Sequence, residues 1–206
     1  MTDVTHPTDI AHAAEAGHPP TSTGLSHEKI GMWAFLGSEC LLFGALISTY
    51  LLYKGQSEPG TITPSDVYDI PYTSVSSFVL LMSSLTMVLA LSAIQRGDHR
   101  RTRVWLLTTA VLGATFVGGQ AYEFTVFVRE GLNLRTNLFG SSFYVLTGFH
   151  GAHVTLGVLM LLSLWNLSLR GKLSTERAET VELVGLYWHF VDIVWIVIFT
   201  LVYLIP

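Results

Sequence analysis

Apolar residues fall into five long runs, at about 30–53, 72–94, 105–127, 141–167 and 184–205, each set off from the next by a short stretch rich in charge, proline or both. A run of roughly 20 apolar residues is what an α-helix needs to cross the hydrocarbon layer of a bilayer. Backbone groups inside that layer can be satisfied only within helices or a closed barrel. The pattern therefore predicts an all-α, polytopic membrane protein, five transmembrane helices in a bundle, with no proline inside any span. Residues 1–28 read as a polar N-terminal tail and 29–206 as the membrane domain. His6, His12 and His18 recur every six residues and so fall on different faces of any helix, which favours a solvated tail over a metal site. No basic start precedes an apolar core there, so the first span is expected to act as its own insertion signal.

The connections carry the orientation. The first, Lys54 to Pro71, holds Pro59, Pro64 and Pro71 with Glu58, Asp66 and Asp69, and reads as an extended acidic loop. The second packs Arg96, Arg100, Arg101 and Arg103 around a single acid, Asp98. Lys29, those four arginines, Arg170, Lys172 and Arg177 all fall on one side of the predicted membrane, against Lys54, Arg129 and Arg135 on the other. The positive-inside rule then predicts a cytoplasmic N-terminus and an external C-terminus. It also puts the sequon Asn166-Leu167-Ser168 on the cytoplasmic side, where it has no meaning for glycosylation.

Half of the 206 residues are hydrophobic and only 13% are charged, which places the chain outside the soluble globular class. A net charge of −4 gives no footing for nucleic acid. Cys40 is the only cysteine, so an intrachain disulfide, a thiolate metal cluster and a two-copper centre are all excluded.

Against this background the polar residues inside the spans are the candidates for function: Glu39, Glu123, Asp192, His150, His153 and His189. A charged group facing lipid near the bilayer centre costs roughly 2.5–3.5 kcal/mol on insertion scales. These groups are therefore expected at contacts between helices. Glu39 has no cation in its own span and reads as a carboxyl able to hold a proton, or simply as an interhelical hydrogen-bond donor. Glu123, near a span end, is expected to snorkel or to brace structure. In Tyr187-Trp188-His189-Phe190-Val191-Asp192-Ile193-Val194-Trp195, Trp188, Asp192 and Trp195 share one stripe, and His189 lies three residues before Asp192. This stripe must face protein. His150 and His153 could ligate haem or metal, but two ligands on one helix need more from elsewhere, and Gly148, Gly151, Ala152 and Gly157 around them favour close packing with the imidazoles bonded to a neighbour. Ser76, Ser77, Ser83 and Ser84 can bond back to their helix or across to a neighbour. Ala110, Ala114 and Gly118 are expected to form a ridge for close helix approach.

Five ordered pieces carry a resemblance: Ser38-Glu39; Gly119-Gln120-Ala121-Tyr122-Glu123-Phe124; Gly140-Ser141-Ser142-Phe143-Tyr144; Thr147-Gly148-Phe149-His150-Gly151-Ala152-His153-Val154; and Tyr187 to Trp195. In this order and spacing the chain resembles subunit III of the haem–copper terminal oxidases, cytochrome c oxidase and its quinol oxidase relatives, from about residue 30 to 204. The resemblance implies a non-catalytic subunit without haem or copper of its own, packed beside the catalytic subunit I and subunit II that hold them, in a multi-pass arrangement in a bacterial plasma membrane. It implies support of proton uptake during turnover, bound phospholipid, and further partners such as a fourth subunit or a respiratory supercomplex. Glu39 looks like the family's carbodiimide-sensitive carboxylate, and Glu123, His150, His153, Trp188, His189 and Asp192 sit at its signature positions. The chain resembles the five-span form and lacks the first two spans of long members. Arg96, Arg100, Arg101, Arg103, Arg170 and Lys172 are candidates for lipid headgroups, although an orientation signal explains them as well. From the residues alone, a histidine-ligated cytochrome b and a proton-coupled transporter stay open as alternatives.

Overall fold

The computed structural model describes residues 26–54, 56 and 62–205, apart from the side chains of Val67 and Glu176. Residues 1–25, which make up most of the predicted tail with its three histidines, lie outside the described residues. The chain forms α1 (His27–Tyr53), a single turn α2 (Pro64–Val67), α3 (Ile70–Gln95), α4 (His99–Arg129), α5 (Leu138–Leu169) and α6 (Ala178–Phe199), and α6 runs on through a wide π-helical turn at Thr200–Leu204. Five of these helices are long and apolar enough to cross a membrane. Among the described residues there is no strand.

The helices extend beyond the apolar runs because their ends are built from polar caps. Ser26, Asp69, Asp98 and Asn137 each accept a hydrogen bond from a free amide of the first turn, at Lys29, Tyr72, Arg101 and Gly140. Three helices stop the same way. Gly97, Gly131 and Gly171 take positive φ one residue after the cap, and the next amide reaches back to Ala93, Phe127 and Leu167. The basic connection therefore shrinks to Arg96-Gly97-Asp98, and Arg100, Arg101 and Arg103 stand within the first five residues of α4. The acidic loop is likewise not wholly extended. Thr63 and Asp66 bond each other around Pro64, and Pro71 fits the first turn of α3, where no amide partner is needed.

α3, α4, α5 and α6 form the packed body, with α3 against α4 and α6, and α5 against α4 and α6. α1 lies along α5 and α6 and buries only Leu36, Phe43 and Tyr50, one residue every seven. Its first turn is tied to the start of α6, where Lys29 pairs with Glu182 at 3.0 Å and Ser26 bonds Glu179.

The predicted small-residue ridge is not the point of closest approach. Ala110 is in the core, whereas Ala114 and Gly118 face outward, and a Cβ on Gly118 would meet nothing within 4 Å. A fixed step of four turns about 40° away from the starting face at each repeat. The buried stripe of α4 instead alternates three and four, through Leu106, Thr109, Gly113, Phe116, Gln120 and Glu123. Close approach occurs at Gly113 and Gly157, which flank the indole of Trp188. Gly148 and Gly151 have open space, so of the small residues around the histidines only Gly157 serves tight packing.

Candidate functional site

The polar side chains of the spans reach across helix boundaries at three levels of the bundle. Nearest the α1 side, Nε2 of His153 lies 3.2 Å from Oε2 of Glu39, joining α5 to α1, and each side chain is only 14% exposed. Nδ1 of His153 donates to the Phe149 carbonyl of its own helix at 2.7 Å. With one ring proton committed there, Nε2 is the nitrogen that faces the carboxyl, and a hydrogen bond between them takes one proton on either atom. The Tyr187 hydroxyl donates to the carbonyl of His153 at 3.0 Å and fixes the α6 side of this pair.

His150, one turn away, takes another direction. Its fully buried ring donates from Nε2 to the Val191 carbonyl at 3.2 Å and stacks on Trp195 with centroids 4.8 Å apart. Phe116 meets the edge of the same stack from α4. The two histidines thus serve different contacts and do not converge on a common point.

Between α3 and α6 the serines of α3 meet the aromatic stripe of α6 in antiparallel register. Nε1 of Trp188 donates to Ser83 at 2.9 Å, and Nε1 of Trp195 donates to Ser77 at 2.8 Å. His189 is paired with Ser84, whose hydroxyl lies 2.6 Å from Nδ1. Asp192 is buried beside them, with Ser84 as its polar neighbour. Neither carboxyl oxygen has a hydrogen-bond partner within bonding geometry among the described residues. Of the two partners open to His189, its neighbour Asp192 and another helix, the structure uses the other helix, at Ser84.

Glu123 does not snorkel. α4 continues to Arg129, which leaves Glu123 well inside the helix and 5% exposed, where it accepts from Thr73 of α3 at 2.7 Å and from Gln120 at 3.3 Å. Nearby, Tyr68 of the connection before α3 packs its ring 4.5 Å from that of Tyr203. Burial pushes the ionisation of the Tyr68 hydroxyl far above its ordinary range. At the opposite end of the bundle Arg103 donates to Ser168, Arg101 pairs with Asp98 at 3.3 Å, and Arg96, Arg100 and Arg101 border a cavity of about 550 Å³. Arg170 and Lys172 are exposed.

The sequence model of the family described as cytochrome c oxidase subunit III matches residues 7–205. The chain belongs to that family. It is 40% identical to the probable quinol oxidase subunit 3 of Staphylococcus saprophyticus, across 87% of this chain and 92% of that one. It is 39% identical to the cytochrome c oxidase subunit 3 of Bacillus sp. strain PS3, across 85% and 84% of the two chains. The quinol oxidase subunit 3 of Bacillus subtilis strain 168 matches at 39%, across 85% of each.

For a subunit III chain this geometry says what the polar groups can do. Among the described residues no group of three or more His, Cys, Asp or Glu side chains is placed to hold a metal ion. The Glu39–His153 pair borders an apolar groove of about 510 Å³ lined by Met32, Phe35, Leu156, Met160, Val184 and Tyr187 together with His153. Sequence reasoning singled out Glu39 and His153 separately but not as partners, because 114 residues separate them and nothing local joins them. Of the supporting groups, Gln120 is not singled out by the sequence, whereas Ser84 is one of the four serines it marks as able to bond across to a neighbour. The spacing of three between Gln120 and Glu123 was the available signal for the first.

Proposed function

We propose that this chain is a non-catalytic, multi-pass subunit of a bacterial terminal oxidase in the plasma membrane, with its N-terminal side cytoplasmic. Haem and copper would reside in partner subunits I and II. The observation that carries the reading is the use made of the ionisable groups: Glu39 with His153, Glu123 with Thr73, His150 with Val191 and His189 with Ser84 each join two helices. Groups spent on such contacts brace a scaffold. Lys29, Arg96, Arg100, Arg103, Arg170 and Lys172 at one end of the bundle support the orientation. The groove beside His153 supports phospholipid acyl-chain binding, and the shared proton of Glu39 and His153 supports assistance to proton uptake by the catalytic partner.

Relatives carry the names of both cytochrome c oxidases and quinol oxidases at almost equal identity. We take cytochrome c as the donor of the complex, with quinol as the second reading. Purification from native membranes tests both. A haem-containing partner with a two-copper domain is expected to copurify. A partner lacking that domain would decide for quinol. A visible haem spectrum from the isolated chain, or oxygen reduction by it unaided, would overturn the non-catalytic reading.

A further inference from the structure

Several hydroxyls on the outward faces of the helices are closed off from lipid. Ser38 and Ser48 of α1, Thr108 and Thr115 of α4, Thr155 of α5 and Thr200 at the end of α6 each donate to a carbonyl of the preceding turn. The seam between α3 and α6 is different. His189 is half-buried there, and its stripe continues through Ile193 and Ile196, both exposed. Across the seam, Ser84 sits among the exposed Leu81, Leu85 and Val88 of α3. Asp192, Ser84 and His189 lie in series from the core to this surface, and Ser84 is the group common to both neighbours.

The proton inventory of that series leaves it incomplete. If Ser84 donates to Nδ1, the outer ring nitrogen of His189 carries an N–H that needs an acceptor. If Nδ1–H donates to Ser84, the outer nitrogen is a lone pair that needs a donor. Among the described residues Nε2 meets neither. An unmet polar group against acyl chains is costly, and the imidazole cannot fold back onto its own backbone while Ser84 holds it. Asp192 adds a buried carboxyl at the inner end of the same series, with Ser84 as its polar neighbour.

We propose that this seam is a docking face for a transmembrane helix of another oxidase subunit, one that packs on Leu81, Leu85, Ile193 and Ile196 and brings a hydrogen-bonding side chain to Nε2 of His189. The proposal rests on the assembly reading above and names the face it uses. α1 exposes more apolar surface, but its outward hydroxyls are satisfied by its own carbonyls, so lipid suits it without a protein partner. On the α3–α6 seam a partner completes the hydrogen bonding as well as covering apolar surface.

The test uses the assembled complex in native membranes, with benzoylphenylalanine placed at Leu85, at Ile193 and, as the outward α1 control, at Leu41. Irradiation is expected to join this chain to another oxidase polypeptide from positions 85 and 193 and not from 41. Crosslinks to a partner from 41 alone, adducts only with lipid at 85 and 193, or adducts there with a second copy of this chain would each overturn the face while leaving the assembly intact. Recovery of the chain with no partner at all would sink the assembly reading and the face with it. In the same complex H189L is expected to lose partner under detergent washing roughly tenfold faster than the native chain, whereas H189Q, which keeps a polar group at that position, stays within about twofold. Equal retention by H189L and the native chain would remove His189 from the contact.

Discussion

The six-membered ring of Trp188 lies so close to Gly157 that a Cβ added to the glycine would come within 2.7 Å of two of its carbons. Gly113 closes the slot from α4, so one buried indole on α6 sets the distance to two neighbouring helices at once. The indole cannot retreat, because its Nε1 is bonded to Ser83. Gly157→Ala is therefore expected to destabilise the chain by about 1–3 kcal/mol, the usual cost of overpacking a core. Gly118→Ala, with open space around it, should be neutral or stabilising by up to about 1 kcal/mol. Thermal melting of the purified protein in detergent distinguishes the two, and equal melting of both variants would refute the slot.

The indole bonds to Ser83 and Ser77 predict a second pattern. Trp188→Phe keeps most of the packing but leaves the Ser83 hydroxyl with only its own-helix carbonyl, and Ser83→Ala leaves a buried N–H without an acceptor. Ser83→Ala should cost about 1–3 kcal/mol and Trp188→Phe somewhat less. The double variant should cost less than the sum, with a coupling of about 0.5–1.5 kcal/mol. The same cycle at Trp195 and Ser77 should give a similar coupling. Additive losses in chemical denaturation would show that the hydrogen bonds contribute nothing beyond shape.

How far the sequence could be read follows from what each feature depends on. The five spans were legible because length and apolarity are properties of contiguous residues, and the stripe of Trp188, Asp192 and Trp195 because helical period alone puts them together. The ends of the helices were placed short by up to six residues, since caps such as Asp98 and the glycines at 97, 131 and 171 lie in polar sequence that hydropathy reads as loop. For Glu123 the sequence leaves snorkelling and bracing both open, and only the cover from Thr73 of the neighbouring helix selects bracing. The partner of Glu39 was out of reach, because the register of α1 against α5 is set by tertiary packing of Phe43 on the rings of His150 and His153.

Outside the membrane, Asp66 gives a pH prediction. Its carboxylate accepts from the amide and the hydroxyl of Thr63, which holds its pKa below the ordinary carboxylate value. A depressed folded-state pKa means that the stabilisation is present above the ordinary value of about 3.9 and is lost as pH falls through the lower folded value. The turn Pro64–Val67 should therefore hold at neutral pH and loosen only in stronger acid. Titrating the Thr63 amide resonance should give a midpoint below the ordinary value, and Asp66→Asn should abolish that transition. A midpoint at or above the ordinary value would show that the cap does not form.

The proton shared by Glu39 and His153 yields the most direct chemical test. Because Nδ1 of His153 is committed to the Phe149 carbonyl, a neutral amide at position 39 can still donate to Nε2, whereas an aliphatic residue cannot. Glu39→Gln should then cost about 1 kcal/mol or less, and Glu39→Leu about 1–3 kcal/mol. A hydrophobic carbodiimide needs the carboxyl to hold the proton, so mass mapping of treated complex should find an adduct on Glu39 and none in Glu39→Gln. Replacing His153 by leucine removes the competing base and should speed that labelling. In the assembled oxidase Glu39→Gln should leave haem content and initial rate unchanged while shortening activity over many turnovers, since the pair braces α1 against α5. Labelling that reaches Glu123 or Asp192 but spares Glu39, or an immediate loss of the haem spectrum in Glu39→Gln, would show that this contact does something other than hold and lend a proton.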